Sequence, residues 1–151
     1  MLPIGKDKLT QLYTEEYLEQ GLDAELTRAR RYKHPLSFIL LEPDIPDEHR
    51  ADRLYPSLRL LARITEQQTR AMDVGVRWGQ QLLVILPETP VDGAARVVEK
   101  IREAFENHTL LKDDTDVTIK LKSAVRAFPD HGQEKEGLLA VLKESLTASR
   151  A

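Results

Sequence analysis

The chain has 151 residues, 31% of them charged and 41% hydrophobic, and a formal net charge of −3. That balance fits one domain over 1–151, standing alone or within a longer protein, and it demands no nucleic-acid or anionic-membrane partner. The absence of cysteine excludes disulfides, thiol catalysis and Cys-based zinc sites; no 18-residue apolar run offers a spanning helix, and the start "MLPIGKDK" has no apolar export segment, so the cytoplasm is the expected location.

Residues 14–33, "TEEYLEQGLDAELTRARRYK", predict a first helix. Thr14 is placed to cap it, and Tyr17, Leu18, Leu22 and Leu26 form an apolar stripe. His34-Pro35 stops it. "LSFILLE", 36–42, is a strand whose nearly unbroken apolar run predicts a central place, covered on both faces. The polar stretch 43–56, with three prolines, reads as a loop or a broken helix, and 57–71 as the second helix. "VGVRW" and "LLVILP" form a hairpin with Gly79-Gln80 in its turn. Pro90 opens a third helix over 91–108. A turn at 112–116, a strand over 117–129, a Pro-Asp-His-Gly turn and a helix over 134–148 complete the chain. The order α β α β β α β α predicts an α+β sandwich of ferredoxin-like character, with a mostly antiparallel sheet flanked by helices.

Chemistry-bearing residues are sparse. His34, His49, His108 and His131 fall in or beside loops and helix ends, without metal-ligand spacing, and read as polar surface residues. Neither familiar phosphate-binding glycine motif occurs. Glu42 and Asp44 lie at a strand end, where hard-metal ligands are often found. Their natural partners at the hairpin tip are Gln80 and Gln81, which are neutral and cannot act as a base. Glu42 and Asp44 therefore read as solvated loop carboxylates, and no metal is expected. Arg70 and Asp73, in "RAMD", have two readings. Arg70 can grip O6 and N7 of a guanine while Asp73 accepts from its N1 and N2 hydrogens. Alternatively the two form a surface ion pair that fixes a helix end.

Taken together, "DKLTQLYTEEYLEQ", the "RARRY" helix end, "MDVGVRWG" followed by "LLVILPET", "AARVVEKIREAF" and "AVRAFP" resemble the GGDEF domain of bacterial diguanylate cyclases, which make cyclic di-GMP from two GTP. The resemblance covers about residues 7–150 and implies a nucleotidyl-cyclase palm-like fold. The departures fall at the family's functional positions. Gly79-Gln80-Gln81-Leu82 stands where the family has Gly-Gly-Asp-Glu-Phe, and Glu42 and Asp44 match its first metal acid and the neighbour two residues on. Pro46 and Asp47 replace a Phe-Lys pair, the guanine-reading Asn has no counterpart, and Arg150 stands for a late triphosphate-binding Lys. These losses imply a degenerate, catalytically inactive domain, a pseudo-diguanylate cyclase with no cofactor.

The Arg-x-x-Asp at Arg70 and Asp73 matches the family's product-binding inhibitory site. It implies a cyclic di-GMP receptor that signals to an adjacent domain or protein. Arg96 and Lys100 on the next helix, or a second protomer in a homodimer, would supply further cations. Arg77 would pack along Trp78 or pair with Asp73. Two other functions stay open: a dimerisation or protein-docking module that binds no nucleotide, and a weak GTP-binding domain. DNA binding and membrane insertion are not expected.

Overall fold

The computed structural model describes residues 4–112 and 119–148. At its centre is β1, Leu36–Asp44, which pairs antiparallel with β3, Gln81–Pro87, and with β4, Lys120–Phe128. The register runs Leu36↔Pro87 to Leu41↔Leu82 on one side and Leu36↔Phe128 to Asp44↔Lys120 on the other. β2, Val74–Trp78, pairs antiparallel with the outer edge of β3, giving the order β2-β3-β1-β4. The central place expected for β1 has a simple cause. Alternate side chains of a strand point to opposite faces. Ile39 and Leu41 enter a core with α3 (Arg50–Gln68) and α4 (Val91–Lys112), whereas Phe38 and Leu40 enter a second core with α1 (Tyr17–Gln20), α2 (Leu22–Tyr32) and α5 (Lys135–Ala148). Both faces are buried, so the strand must be apolar throughout. The expected α+β sandwich with an antiparallel sheet is what the chain forms. Among the described residues, no helix is long and apolar enough to cross a membrane.

Three elements differ from the sequence expectation. The helix expected over 14–33 starts at Tyr17 and is divided at Gly21, where the ring of Tyr17 fills the space that a Cβ would need. That ring also stacks on Tyr13 with centroids 5.2 Å apart. Burial pushes the Tyr17 hydroxyl up to about 12, with the charges of Glu25 and Tyr13 adding to the effect and Arg28 opposing it.

The stretch 43–56 is more ordered than a loop. β1 continues to Asp44, one 3-10 turn spans Asp47–His49, and α3 begins at Arg50 with Pro56 inside it. Pro56 faces solvent. It removes one helical hydrogen bond, but the same turns place Leu58 and Leu61 in the core and pack Leu54 against it. Helix α3 then ends at Gln68, short of the expected residue 71.

Lastly, the N-terminal segment joins the sheet. Tyr13 bridges Val76 in parallel, with the Tyr13 N–H donating to the Gly75 carbonyl (3.1 Å) and the Arg77 N–H to the Tyr13 carbonyl (2.9 Å). Of the turn expected at 112–116, residues 113–116 lie outside the described residues, as do 117 and 118 of the last strand and Arg150.

Candidate functional site

Two polar clusters flank the β2–β3 hairpin. The first is the turn between α3 and β2. Its backbone is closed by the Asp73 N–H donating to the Arg70 carbonyl at 3.1 Å. The Arg70 N–H donates to Asp73 Oδ2 at 2.7 Å, so the carboxylate reaches back three residues to the start of the turn. The Arg70 guanidinium then folds back: Nη2 is 3.1 Å from Asp73 Oδ1, 2.8 Å from the Pro87 carbonyl and 2.7 Å from Thr89 Oγ1. The Asp73 side chain is 3% exposed and that of Arg70 is 51% exposed. A buried carboxylate thus holds a half-open arginine, and the pair ties the α3–β2 turn to the loop before α4. No partner for Arg70 Nη1 is found among the described residues.

Arg70 and Asp73 stand on the wall of a cleft of about 510 Å³, shared with Lys6, Leu12, Tyr13 and Thr65. Lys6 Nζ lies 4.2 Å from the Tyr13 ring centroid, so a second cation faces this space. The Thr65 hydroxyl is buried in the wall with no partner among the described residues. The sequence reading missed Lys6, because nothing in the N-terminal segment announces its bridge to β2. Arg96 and Lys100 are exposed on α4, with Arg96 3.9 Å from Asp92, and neither lines the cleft. Arg77 does not pair with Asp73. Its Nη1 lies 3.1 Å from Asp7 Oδ1 and its Nε donates to the Gly79 carbonyl at 3.1 Å. Asp7 also accepts from the Thr10 N–H (2.8 Å) and hydroxyl (2.7 Å). Burial alone would raise the Asp7 carboxyl, but the Thr10 hydrogen bonds and Arg77 outweigh it and hold it below its ordinary value.

The second cluster is the hairpin tip. Gly79 has φ of +65°, the left-handed conformation that favours glycine, and open space where a Cβ would stand. Gln80 is exposed and accepts from Arg50. Gln81 points inward. Its Nε2 donates to Glu42 Oε1 at 2.9 Å, while its Oε1 accepts from Lys143 of α5. Glu42 Oε2 is 2.9 Å from Lys122 Nζ of β4. Lys143 Nζ also sits 3.8 Å from the centroid of the Trp78 ring. Glu42 is therefore not a solvated loop carboxylate. β1 runs two residues further than expected, and its pairing places Glu42 opposite Lys122 and Asp44 opposite Lys120. Asp44 is partly buried.

Burial raises the Glu42 carboxyl. Hydrogen bonds from Lys122 and Gln81 and the charges of Lys122 and Arg50 pull it down further than burial lifts it, below its ordinary value. Burial likewise lowers the Lys143 ammonium, against the opposing charges of Glu15 and Glu42. A divalent cation, the ligand of the family acid that Glu42 matches, does not fit the donor set. Both Glu42 oxygens and Gln81 Oε1 already accept from N–H groups. Among the described residues no group of three or more His, Cys, Asp or Glu could hold a metal. Lys122 and Lys143 are cluster members that the sequence does not reveal, since each joins it from an element distant in the chain.

No protein-family model matches the chain. It is 28% identical to the response regulator PleD of Caulobacter vibrioides over 152 residues, 96% of this chain and 34% of that protein. It is 26% identical to the diguanylate cyclase DosC of Escherichia coli over 150 residues, 95% of this chain and 32% of that one. The chain thus spans about a third of the length of these curated relatives. Among solved structures, the GGDEF domain of TpbB (YfiN) from Pseudomonas aeruginosa superposes with a TM-score of 0.83 at 21% identity, covering 96% of this chain and 88% of that one. The coiled-coil and GGDEF segment of DgcB from Caulobacter crescentus, in complex with c-di-GMP, gives 0.81 at 17% identity, covering 95% and 79%. SiaD of P. aeruginosa, a diguanylate cyclase in complex with its activator SiaC, gives 0.81 at 24%, covering 95% and 57%.

The chain therefore has the GGDEF cyclase fold and is diguanylate cyclase-like in sequence. The expectation of a non-enzyme is corrected by the same comparisons. That expectation rests on missing side chains at the hairpin, whereas the similarity over most of the chain is to proteins named as diguanylate cyclases, DosC and a Vibrio cholerae protein 28% identical over 113 residues.

Proposed function

We propose that this GGDEF diguanylate cyclase-like domain binds cyclic di-GMP at the Arg70–Asp73 turn and passes the binding event to an adjacent domain or a protein partner. The observation that carries this reading is the half-exposed Arg70 guanidinium at a cleft wall, held at its base by a buried carboxylate. A planar fork of donors suits the O6/N7 edge of guanine, and the buried Asp73 carboxylate orients that fork. Lys6 adds positive charge to the wall of the same cleft, which suits an anionic phosphate. Similarity to DgcB, which was solved with c-di-GMP, supports the ligand, and similarity to SiaD, solved with its activator, supports a protein partner.

One observation favours a second reading. Arg70 Nη2 already donates to Pro87, Thr89 and Asp73, as a purely structural tie would. On that reading the domain is a docking module and the turn binds no nucleotide.

Calorimetric titration with cyclic di-GMP separates the two. Micromolar binding is expected, reduced by about 1–3 kcal/mol in Arg70→Ala and in Asp73→Asn, the worth of a good bidentate base contact. No heat at high protein concentration rejects the ligand and leaves the docking module.

A further inference from the structure

The hairpin tip has a property of its own, independent of the Arg70 turn. Three oxygens there are of the kind that ligate a hard cation: the two of Glu42 and Oε1 of Gln81. Each already has a nitrogen donor. Lys122 holds one Glu42 oxygen and the Gln81 amide nitrogen holds the other, both at 2.9 Å. The Gln81 oxygen holds Lys143. The amide orientation is dictated by its neighbours, since a carboxylate requires a donor on one side and an ammonium requires an acceptor on the other. Lys143 is also seated on the Trp78 face, 3.8 Å from its centroid, a contact that favours a cation. Two ammonium groups thus converge on the Glu42 carboxylate, with Arg50 adding positive charge nearby and Glu15 adding an opposing negative charge toward Lys143. A dication entering there would displace hydrogen-bonded cations and face their repulsion.

We infer that Lys143, relayed through Gln81 and completed by Lys122, is a tethered cation that fills the place of a divalent ion beside Glu42. The hairpin tip in this form takes no divalent metal. Lys143 also gives the site a mechanical identity. It joins α5 to the hairpin by a side chain, so the position of the last helix and the charge at the tip are linked.

Manganese binding read by electron paramagnetic resonance tests this on the intact domain. The native chain is expected to leave added Mn²⁺ in its free aqueous form. The double variant Lys143→Met with Gln81→Glu exchanges the tethered cation for a second carboxylate. It is expected to gain one Mn²⁺ site, tighter by about tenfold or more, as added ligand charge does for hard cations. Saturable binding to the native chain that Glu42→Gln abolishes would overturn the inference. So would a double variant that keeps the native far-ultraviolet circular dichroism and still binds no Mn²⁺. A second measurement needs no metal. Trp78 is the only tryptophan in the chain, so its emission reports the ammonium on its face. Lys143→Met must change that emission, and an unchanged spectrum removes Lys143 from the ring and sinks the proposal.

Discussion

The turn at Arg70–Asp73 and the tip at Glu42–Gln81 both pair carboxylates with cations, yet they are built in opposite ways. The turn is local: four consecutive residues close it, and its cation is 51% exposed over a carboxylate that is 3% exposed. The tip is assembled from β1, β3, β4 and α5, and its Lys122–Glu42 pair is 16% and 19% exposed. An exposed arginine on a buried anchor can exchange partners cheaply, because water already competes for its bonds. Two charges drawn out of water cannot, because removing one strands the other. The first arrangement suits recognition; the second suits a fixed electrostatic state.

Stability measurements can break or sharpen that contrast. The largest effect is expected from Lys122→Met, which leaves Glu42 partly buried without its cation. A loss of about 2–3 kcal/mol by urea unfolding is expected, below the range for a wholly buried pair. Arg70→Ala is expected to lose less, about 1–2 kcal/mol in the same assay, because the buried Asp73 carboxylate keeps the backbone N–H of residue 70, and equal losses would erase the distinction between the clusters.

The tip should also dominate one part of the acid response. The folded Glu42 carboxyl lies below its ordinary value of 4.5. Its contribution is therefore fully present above that pH and is lost as the pH falls through the folded value. Glu42→Gln should flatten the stability-against-pH curve in that window, and an unchanged slope would show that the pairing adds nothing. Asp7 contributes with the same sign below its ordinary 3.8, so the comparison is made between native and variant curves.

Smaller still is Gly79→Ala, expected to cost about 1 kcal/mol because φ there is +65°. Least is Thr89→Val, which removes one acceptor from Arg70, at about 0.5–1 kcal/mol.

What the sequence reveals divides along the same line. Period and composition expose elements whose cause is local. The apolar run of β1 announces burial on both faces, and Arg70 and Asp73 announce a helix end, although the helix expected to run to residue 71 stops at Gln68. Contacts set by register are silent. Lys122 looks like one more residue on a polar strand face, and its partner emerges only when β4 pairs with β1 and brings Lys122 opposite Glu42. Lys143 looks like an ordinary helix lysine until α5 packs beside the hairpin. Arg77 shows the limit in another way. Nearby Asp73 is the natural candidate in sequence, but the partner is Asp7, delivered by the parallel bridge of Tyr13 to Val76. The prolines of 43–56 mislead because Pro56 faces solvent while Leu58 and Leu61 are drawn inside.

That bridge has a further consequence. The segment around Tyr13 is stitched to the rim of the sheet by two backbone hydrogen bonds, and Asp7 is riveted to the hairpin beside its tip through Arg77. A pull or a twist applied at residue 5 therefore reaches β2 through these short bonds, and reaches the cores through Leu9 and Leu12 on one side and Ile4 and Tyr13 on the other. The segment from residue 5 to Tyr13 is a lever whose short arm is the hairpin.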